Sequence, residues 1–210
     1  MTHTLHRRGT PAELHEDFVV IVKFSRQGKL EGVQDRMRKT WEILSRFEGD
    51  LENYGNHNPN WHGGPLYNME ELTKTESPII HAVFRKREKL KSFLKEMKES
   101  GLGLSVVVSA IYEDTREICG ELGITPNTVN QSLGTHGKTE LMPEDGVLEI
   151  HTMCGHAMVA PNLIRDMIRK INGGKITCKD AAKKLARMCD CGIFNPRRAE
   201  KLLSGLTAKE

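Results

Sequence analysis

The 210-residue chain lacks any hydrophobic run long enough to cross a membrane. A helix that spans a bilayer needs about 20 consecutive apolar residues. The longest apolar runs here have only the length of a strand, as from Val19 to Val22. The first residues, Met1 to Arg8, also lack the apolar segment that follows the charged start of a signal peptide. We therefore expect a cytoplasmic protein that does not interact with membranes.

The chain also lacks a strong charge of either sign. Its 31 Lys and Arg and 28 Asp and Glu leave a formal net charge of +3, whereas a DNA-binding domain usually carries a concentrated basic face. Nucleic acid is therefore not expected as a partner. The five cysteines, in a cytosolic chain of this size, indicate metal ligands or redox chemistry in place of a disulfide framework.

Two common metal-binding spacings are missing as well. Neither the Cys-x2-Cys pair of zinc ribbons nor the Cys-x2-Cys runs of ferredoxins occur. This absence argues against a plain electron-transfer ferredoxin, and it weakens the case for zinc without excluding it.

Metal-ligand side chains are instead concentrated in two short segments of the C-terminal third. His151, Cys154 and His156 lie in one segment, and Cys189 and Cys191 lie in the other. Residues two apart in an extended or turn-like segment can point to the same side, so each segment could grip one centre. Soft thiolate ligands of this kind favour an iron–sulfur cluster or zinc.

We predict a [4Fe-4S] cluster bound by Cys154, Cys189 and Cys191. His156 is then either the fourth ligand or a residue that faces an open iron. The alternative cofactor is zinc, in tetrahedral Cys3His coordination. A redox pair formed by Cys189 and Cys191 is a third hypothesis, and ordinary buried cysteines are a fourth.

The reaction, if there is one, stays open between several classes. An exposed iron would suit a lyase or an enzyme of sulfur chemistry, typical of anaerobic metabolism, with His151 and His156 moving protons. His151 could equally be a metal ligand or a packed residue. The non-enzymatic hypothesis is a cluster-bearing or zinc-bearing subunit of a larger redox complex. A protein partner, a homo-oligomer or a small anionic substrate is compatible with these hypotheses.

The hydrophobic pattern predicts an α/β fold with a sheet of about four to five strands covered by helices. Continuous β-branched runs predict strands, and apolar spacings of three and four predict helices. The strands are expected at 18–24, 79–84, 104–111 and 147–152, and the helices at 31–47, 86–99, 113–122, 161–171, 178–188 and 196–204. Residues 127–135 form an alternating segment, and residues 49–77 form a long loop.

The chain is expected to divide into three parts. Residues 1–16 form a flexible tail, residues 17–150 form the α/β domain, and residues 151–210 form a small helical metal-binding subdomain. Pro161, Thr177 and Asn195 are expected to begin its helices, as first-turn and capping residues do.

Three further features are candidates for function. The loop with His57, Trp61 and His62 could cover the site, and the glycines of 133–139 could bind an anion. Arg197 and Arg198 could hold an anionic carboxylate or an acidic partner surface. Of the remaining cysteines, Cys119 is expected in the core, and Cys178 could be a fourth thiol ligand.

Residues 117–129 are similar to a helix-turn-helix, which would make the protein a metal-sensing regulator. The expected recognition segment, 126–133, carries no Lys or Arg and ends at Gly134. We therefore keep this interpretation only as an alternative.

Overall fold

The computed structural model describes residues 4–24, 31–56, 68–76 and 78–207. The fold is mixed α/β, as the sequence predicts, around a four-stranded antiparallel sheet in the order β2-β3-β1-β4. The strands are β1 (Phe18–Lys23), β2 (Leu51–Asn56), β3 (Ile79–Phe84) and β4 (Ser105–Ser109).

Nine α-helices accompany the sheet within these residues. They are α1 (Pro11–Leu14), α2 (Val33–Ser45), α3 (Met69–Lys74), α4 (Arg87–Glu99), α5 (Tyr112–Glu121), α6 (Asp145–Thr152), α7 (Pro161–Asn172), α8 (Cys178–Ala186) and α9 (Pro196–Thr207). None of the described helices is long and apolar enough to cross a membrane.

The strand connections form two interleaved β-α-β units. β1, α2 and β2 form one unit, with β3 between its strands, and β3, α4 and β4 form the other, with β1 between its strands. This is the split β-α-β arrangement. Because such topologies carry many unrelated activities, the fold by itself does not indicate the function.

β1 is an interior strand of the sheet, and both faces of the sheet are covered at this strand. Its first five side chains are buried, which explains the continuous apolar run, since an alternating pattern would expose one face. Val20 and Val22 lie in one hydrophobic core. Val19 and Ile21 lie in a second core on the opposite face.

The first core lies between the sheet and the helices α2 and α4. Phe47, Phe84 and Phe93 form an aromatic cluster there, with ring centroids of Phe84 and Phe93 5.4 Å apart and both Phe47 contacts at 6.0 Å. Trp41 of α2 is fully buried in the same core. The predicted apolar stripes of both helices therefore pack on the sheet.

The second core lies between the other sheet face and the C-terminal helices. It contains buried residues of α6 to α9 and of the segments that join them, together with Val83 of β3. The predicted helix starts are confirmed: Pro161 opens α7, Thr177 caps α8 by accepting from the Asp180 amide, and Asn195 accepts from the Arg198 amide in α9. The helical part thus uses the sheet as one wall of its core.

Three predictions of secondary structure are wrong. Residues 147–152 belong to the helix α6, because Val147 and Ile150 face the core at helical spacing. The expected loop 49–77 contains β2 and α3 within its described part. Residues 127–135 form neither helix nor strand, so the described structure has no recognition helix at 126–133 as a helix-turn-helix would require.

The described part of the N-terminal segment contacts the rest of the chain. Thr4 is 3% exposed, and its hydroxyl lies 2.5 Å from the hydroxyl of Ser109. Thr10 and Glu13 form a capping box that opens α1. The division into tail, α/β domain and helical subdomain stays a prediction.

Phe93→Ala should lower the free energy of unfolding by about 3–5 kcal/mol, since it leaves a cavity beside the rings of Phe47 and Phe84. Lys95→Ala on the same helix removes a side chain that is 62% exposed and should change stability by less than about 0.5 kcal/mol. Urea denaturation followed by circular dichroism measures both. Equal effects of the two substitutions would contradict the packing described for α4.

Candidate metal centre

The structure brings three cysteine thiols together beneath the second face of the sheet. Cys154 follows α6, while Cys189 and Cys191 lie in the connection between α8 and α9. Cys154, Cys189 and Cys191 are 1%, 4% and 0% exposed, respectively. The thiols of Cys154 and Cys189 lie close enough to shift each other's pKa, and Cys191 shifts the pKa of Cys189 in the same way. Segments about 35 residues apart in the chain therefore meet at one point.

His156 lies at the solvent side of the thiols. Its Nδ1 is 3.7 Å from the Sγ of Cys191, and the residue itself is exposed. Ala157, the next residue, has a φ of +59°, a left-handed conformation that residues with a side chain rarely adopt. Its amide donates to the Cys154 carbonyl at 2.9 Å. This tight turn lets His156 approach Cys191 from the segment that carries Cys154.

The thiols strongly affect one another's acidity. The hydrogen bond with Cys189, followed by burial, raises the pKa of Cys154 far above its ordinary value. The hydrogen bond from Cys154 lowers the pKa of Cys189, but hydrogen bonding to Cys191 and burial outweigh this and raise that pKa to about 12. Both thiols are therefore protonated at neutral pH, and a bound cation would have to displace their protons.

No group of three or more His, Cys, Asp or Glu side chains among the described residues is already arranged to hold a metal ion. The thiols meet, but those of Cys154 and Cys189 keep their protons, because both pKa values are raised. Metal binding would therefore require loss of these protons and small rotations of the side chains. The chemistry that the residues offer is soft thiolate coordination with one imidazole.

Strand β2 positions the segment that carries Cys191. Gly192 has a φ of +75°, and a Cβ on it would lie 2.3 Å from the carbonyl oxygen of Tyr54. The backbone therefore passes against β2 so closely that only glycine fits. Two residues further toward α9, the side-chain amide of Asn53 donates to the Phe194 carbonyl at 2.7 Å.

The side chain of Arg7 is hydrogen-bonded to both cysteine segments. Its guanidinium donates to the carbonyl of Met153 at 2.8 Å and to the carbonyl of Ile193. Met153 directly precedes Cys154, and Ile193 lies two residues after Cys191. Asp17 accepts from the same guanidinium at 2.6 Å. With 5% and 0% of their side chains exposed, Arg7 and Asp17 form a buried ion pair.

Arg198 is the second cation of this buried group. It donates to Asp17 at 3.0 Å and to the carbonyl of Arg8, and Asn195 donates to Asp17 at 3.0 Å. The expectation that Arg198 holds an anionic substrate or a partner is therefore wrong, because its charge is used inside the protein. Arg197 is exposed.

His151 supports the segment that follows it. Its Nδ1 lies 2.8 Å from the carbonyl oxygen of Val159, and since a carbonyl only accepts, Nδ1 must carry the proton. The contact ties the end of α6 to the start of α7 and encloses the turn with Cys154 and His156. A role of His151 in catalysis stays a prediction.

The two remaining cysteines lie elsewhere. Cys119 is buried on α5 as predicted, and burial raises the pKa of its thiol. Cys178 begins α8, and its sulfur lies 3.9 Å from the Thr207 hydroxyl. Because α8 rises about 1.5 Å per residue, its nine residues separate Cys178 from Cys189 by roughly the length of the helix.

The other candidate segments stay predictions. His57, Trp61 and His62 lie outside the described residues. Residues 133–139 are exposed, and His136 contacts the Leu133 carbonyl at 3.0 Å. A depression of about 660 Å³ lies along α8, and its charged lining residues are Lys175, Asp180, Lys183, Lys184 and Arg187.

Sequence reasoning missed the residues that hold the site together. Arg7 was assigned to a flexible tail, and nothing in the local pattern distinguishes Asp17 or Asn53 from surface residues. Each of them has a partner more than 140 residues away along the chain. Arg7 and Asp17 are also paired to each other. The apolar run that begins after Asp17 was the one available signal that this carboxylate enters the core.

No protein-family model matches this chain, and no curated protein or solved structure shows significant similarity to it. The function must therefore be inferred from the site itself.

Gly192→Ala should lower the free energy of unfolding by about 2–5 kcal/mol, because the new Cβ clashes with β2 and the left-handed backbone adds strain. Gly174→Ala is the matched control, since its φ is +66° but nothing lies within 4 Å of the added atom. It should cost only about 1–2 kcal/mol. Chemical denaturation of both variants gives the comparison. Similar losses would show that the β2 contact does not restrict residue 192.

Arg7→Ala should destabilise the protein by about 3–5 kcal/mol, because it leaves carbonyl groups and part of the Asp17 charge without their partner. Arg46→Ala is the control: Arg46 pairs with Glu96 at 2.7 Å but is 64% exposed, so its loss should cost below about 1 kcal/mol. Thermal and urea unfolding measure both. A loss for Arg7→Ala as small as that of the control would disprove the buried connection.

Proposed function

We propose that this chain binds one inorganic centre through Cys154, Cys189 and Cys191, with His156 as the fourth ligand. The observation that carries the proposal is the meeting of three buried thiols with an imidazole nitrogen 3.7 Å from one of them. All four side chains come from two short connections between helices.

The surroundings of the thiols support ligands over ordinary core cysteines. The chain holds this part of the backbone in two costly arrangements, the left-handed Ala157 beside His156 and the glycine-only approach of Gly192 to β2. Filling a core with thiols requires neither arrangement. Strained backbone is found mainly where a functional geometry has to be maintained.

The spacing favours a single tetrahedral ion, with zinc as the leading candidate. Zinc binds sulfur at about 2.3 Å and nitrogen at about 2.0–2.1 Å, so two such ligands at the tetrahedral angle lie about 3.6 Å apart. The separation of 3.7 Å between Cys191 Sγ and His156 Nδ1 is close to this value. Four protein ligands saturate the ion, which is typical of structural zinc sites. The ion would then join the α6–α7 and α8–α9 connections.

A [4Fe-4S] cluster is the second candidate. Its support is the contrast between three buried thiols and the exposed His156, which would leave one corner of a cluster near solvent. The ligands of a cubane bind different irons, however, and must spread further apart than the ligands of one ion. The two cysteine segments would have to separate to admit it.

A cluster with an exposed corner would be compatible with the lyase and sulfur-chemistry hypotheses. When bound, such a cluster supplies a Lewis-acidic iron. His156, at the mouth of the site, would then be placed to move protons at the substrate. With zinc, the chain is a metal-stabilised protein that acts by docking on a larger complex.

The experiment is elemental and sulfide analysis of protein purified without oxygen, together with an absorption spectrum. We expect about one zinc per chain and no visible colour. Cys154→Ser and Cys191→Ser should each lose most of the metal, because they remove a thiolate. Cys119→Ser and Cys178→Ser are controls and should retain it.

The possible outcomes separate the candidates. About four iron and four sulfide per chain, with brown colour, would indicate that the centre is a [4Fe-4S] cluster and not zinc, with the same ligands. Metal content that is the same in the ligand variants and in the controls would disprove the site. A melting temperature unchanged after removal of bound zinc by a chelator would contradict its structural role.

A further inference from the structure

Strand β4 forms an open end of the sheet. It pairs with β1 on one side, and no described residue makes a backbone–backbone hydrogen bond to its outer side. All five of its residues are only half-buried, in contrast to the buried β1. Its sequence, Ser105 to Ser109, contains three valines and neither a charge nor a proline. Isolated proteins usually protect such an edge, because it can pair with another strand.

The opposite edge of the sheet is protected. β2 carries the charged Glu52, and its pairing with β3 shifts register between Leu51 and Asn53. The backbone at Gly192 also lies directly against Tyr54. Charge, register irregularity and cover by other segments are the usual means of preventing a sheet edge from pairing with another strand. β4 has neither a charged residue nor a register shift.

The sequence of β4 is the same in both directions. In an antiparallel pair of two copies centred on Val107, Ser105 lies opposite Ser109 of the second copy, and Val106 lies opposite Val108. Every cross-strand pair therefore joins like with like, Ser with Ser and Val with Val. A two-fold symmetric interface requires such self-complementarity, and pairs of β-branched residues stabilise adjacent strands.

We propose that two copies of this chain form a symmetric dimer through antiparallel pairing of their β4 strands. The two four-stranded sheets then become one continuous sheet of eight strands. The interface satisfies the outer backbone groups of β4 and covers its half-buried valines. This inference does not depend on the metal centre.

Exposed apolar side chains near β4 supply further contact area. Five residues of strand pairing are less than a stable interface, which buries about 1,200–2,000 Å² in total. Val129 and Leu133 are 52% and 89% exposed, in a segment without regular structure. The N-terminal segment links it to the strand, since Thr4 contacts Ser109 at 2.5 Å and His6 contacts Ser132 at 3.0 Å.

Two double variants test the pairing. Ser105→Glu with Ser109→Glu places like charges opposite each other at both ends of the strand pair. Ser105→Glu with Ser109→Lys places opposite charges there instead. Both variants put a glutamate across from Lys23 of β1, and both lose the Ser109 hydroxyl contact, so they differ only in the sign of charge at residue 109.

Sedimentation equilibrium measures the mass and the dissociation constant of each protein, and circular dichroism confirms that each is folded. We expect twice the chain mass for the wild type and the Glu/Lys variant. The dimer of the Glu/Glu variant should dissociate at least about tenfold more readily than that of the Glu/Lys variant.

A wild-type protein that stays monomeric at its highest soluble concentration would overturn the proposal. So would a dimer whose dissociation constant is the same in the two variants, since its interface must then lie elsewhere. If the Glu/Glu variant is unfolded, Val107→Lys takes its place, because it sets two lysines opposite each other on the two-fold axis. A folded Val107→Lys protein that still forms the wild-type dimer would also be a contrary result.

Discussion

Asp17 is the buried charge around which the candidate site is assembled. Its carboxylate lies at the entrance to β1 and accepts from both Arg7 and Arg198. A buried carboxylate of this kind is tolerated only with full neutralisation and hydrogen bonding, so both arginines have to stay in place. In doing so, Arg7 also binds the carbonyl of Met153 and the carbonyl of Ile193. The charge balance of one carboxylate thereby sets the distance between the two cysteine segments.

The sheet gives this arrangement a rigid support. β1 is buried on both faces and separates a core of aliphatic and aromatic residues from a core that contains three cysteines. Because β1 leads directly out of Asp17, the ion pairs and the sheet are parts of one continuous element. β2 adds the second constraint through its contacts with Gly192 and Phe194. The thiols are therefore fixed by the α/β part of the chain as much as by their own helices.

The two edge strands of the sheet, β2 and β4, have different surroundings in this structure. β2 is blocked by charge and by the close approach of the Cys191 segment, so the backbone that carries two of the candidate ligands occupies the space beside that edge. β4 retains an uncharged, symmetric sequence on the open side. In the proposed dimer, the two candidate metal centres would lie toward the outer ends of the eight-stranded sheet. Each centre would then act independently of the subunit interface.

The sequence by itself determined the elements with strong local signals: the continuous run of β1, the apolar stripes of α2 and α4, and the caps at Thr177 and Asn195. It also identified Cys154, Cys189 and Cys191 as a group, because soft ligands recur at short spacing. Only the tertiary structure decided the helix at Asp145–Thr152, the edge strand β2 with its polar residues, and the roles of Arg7 and Asp17. These features depend on partners far away in the chain, and burial of a charge or pairing of an edge strand leaves no periodic trace in the local sequence.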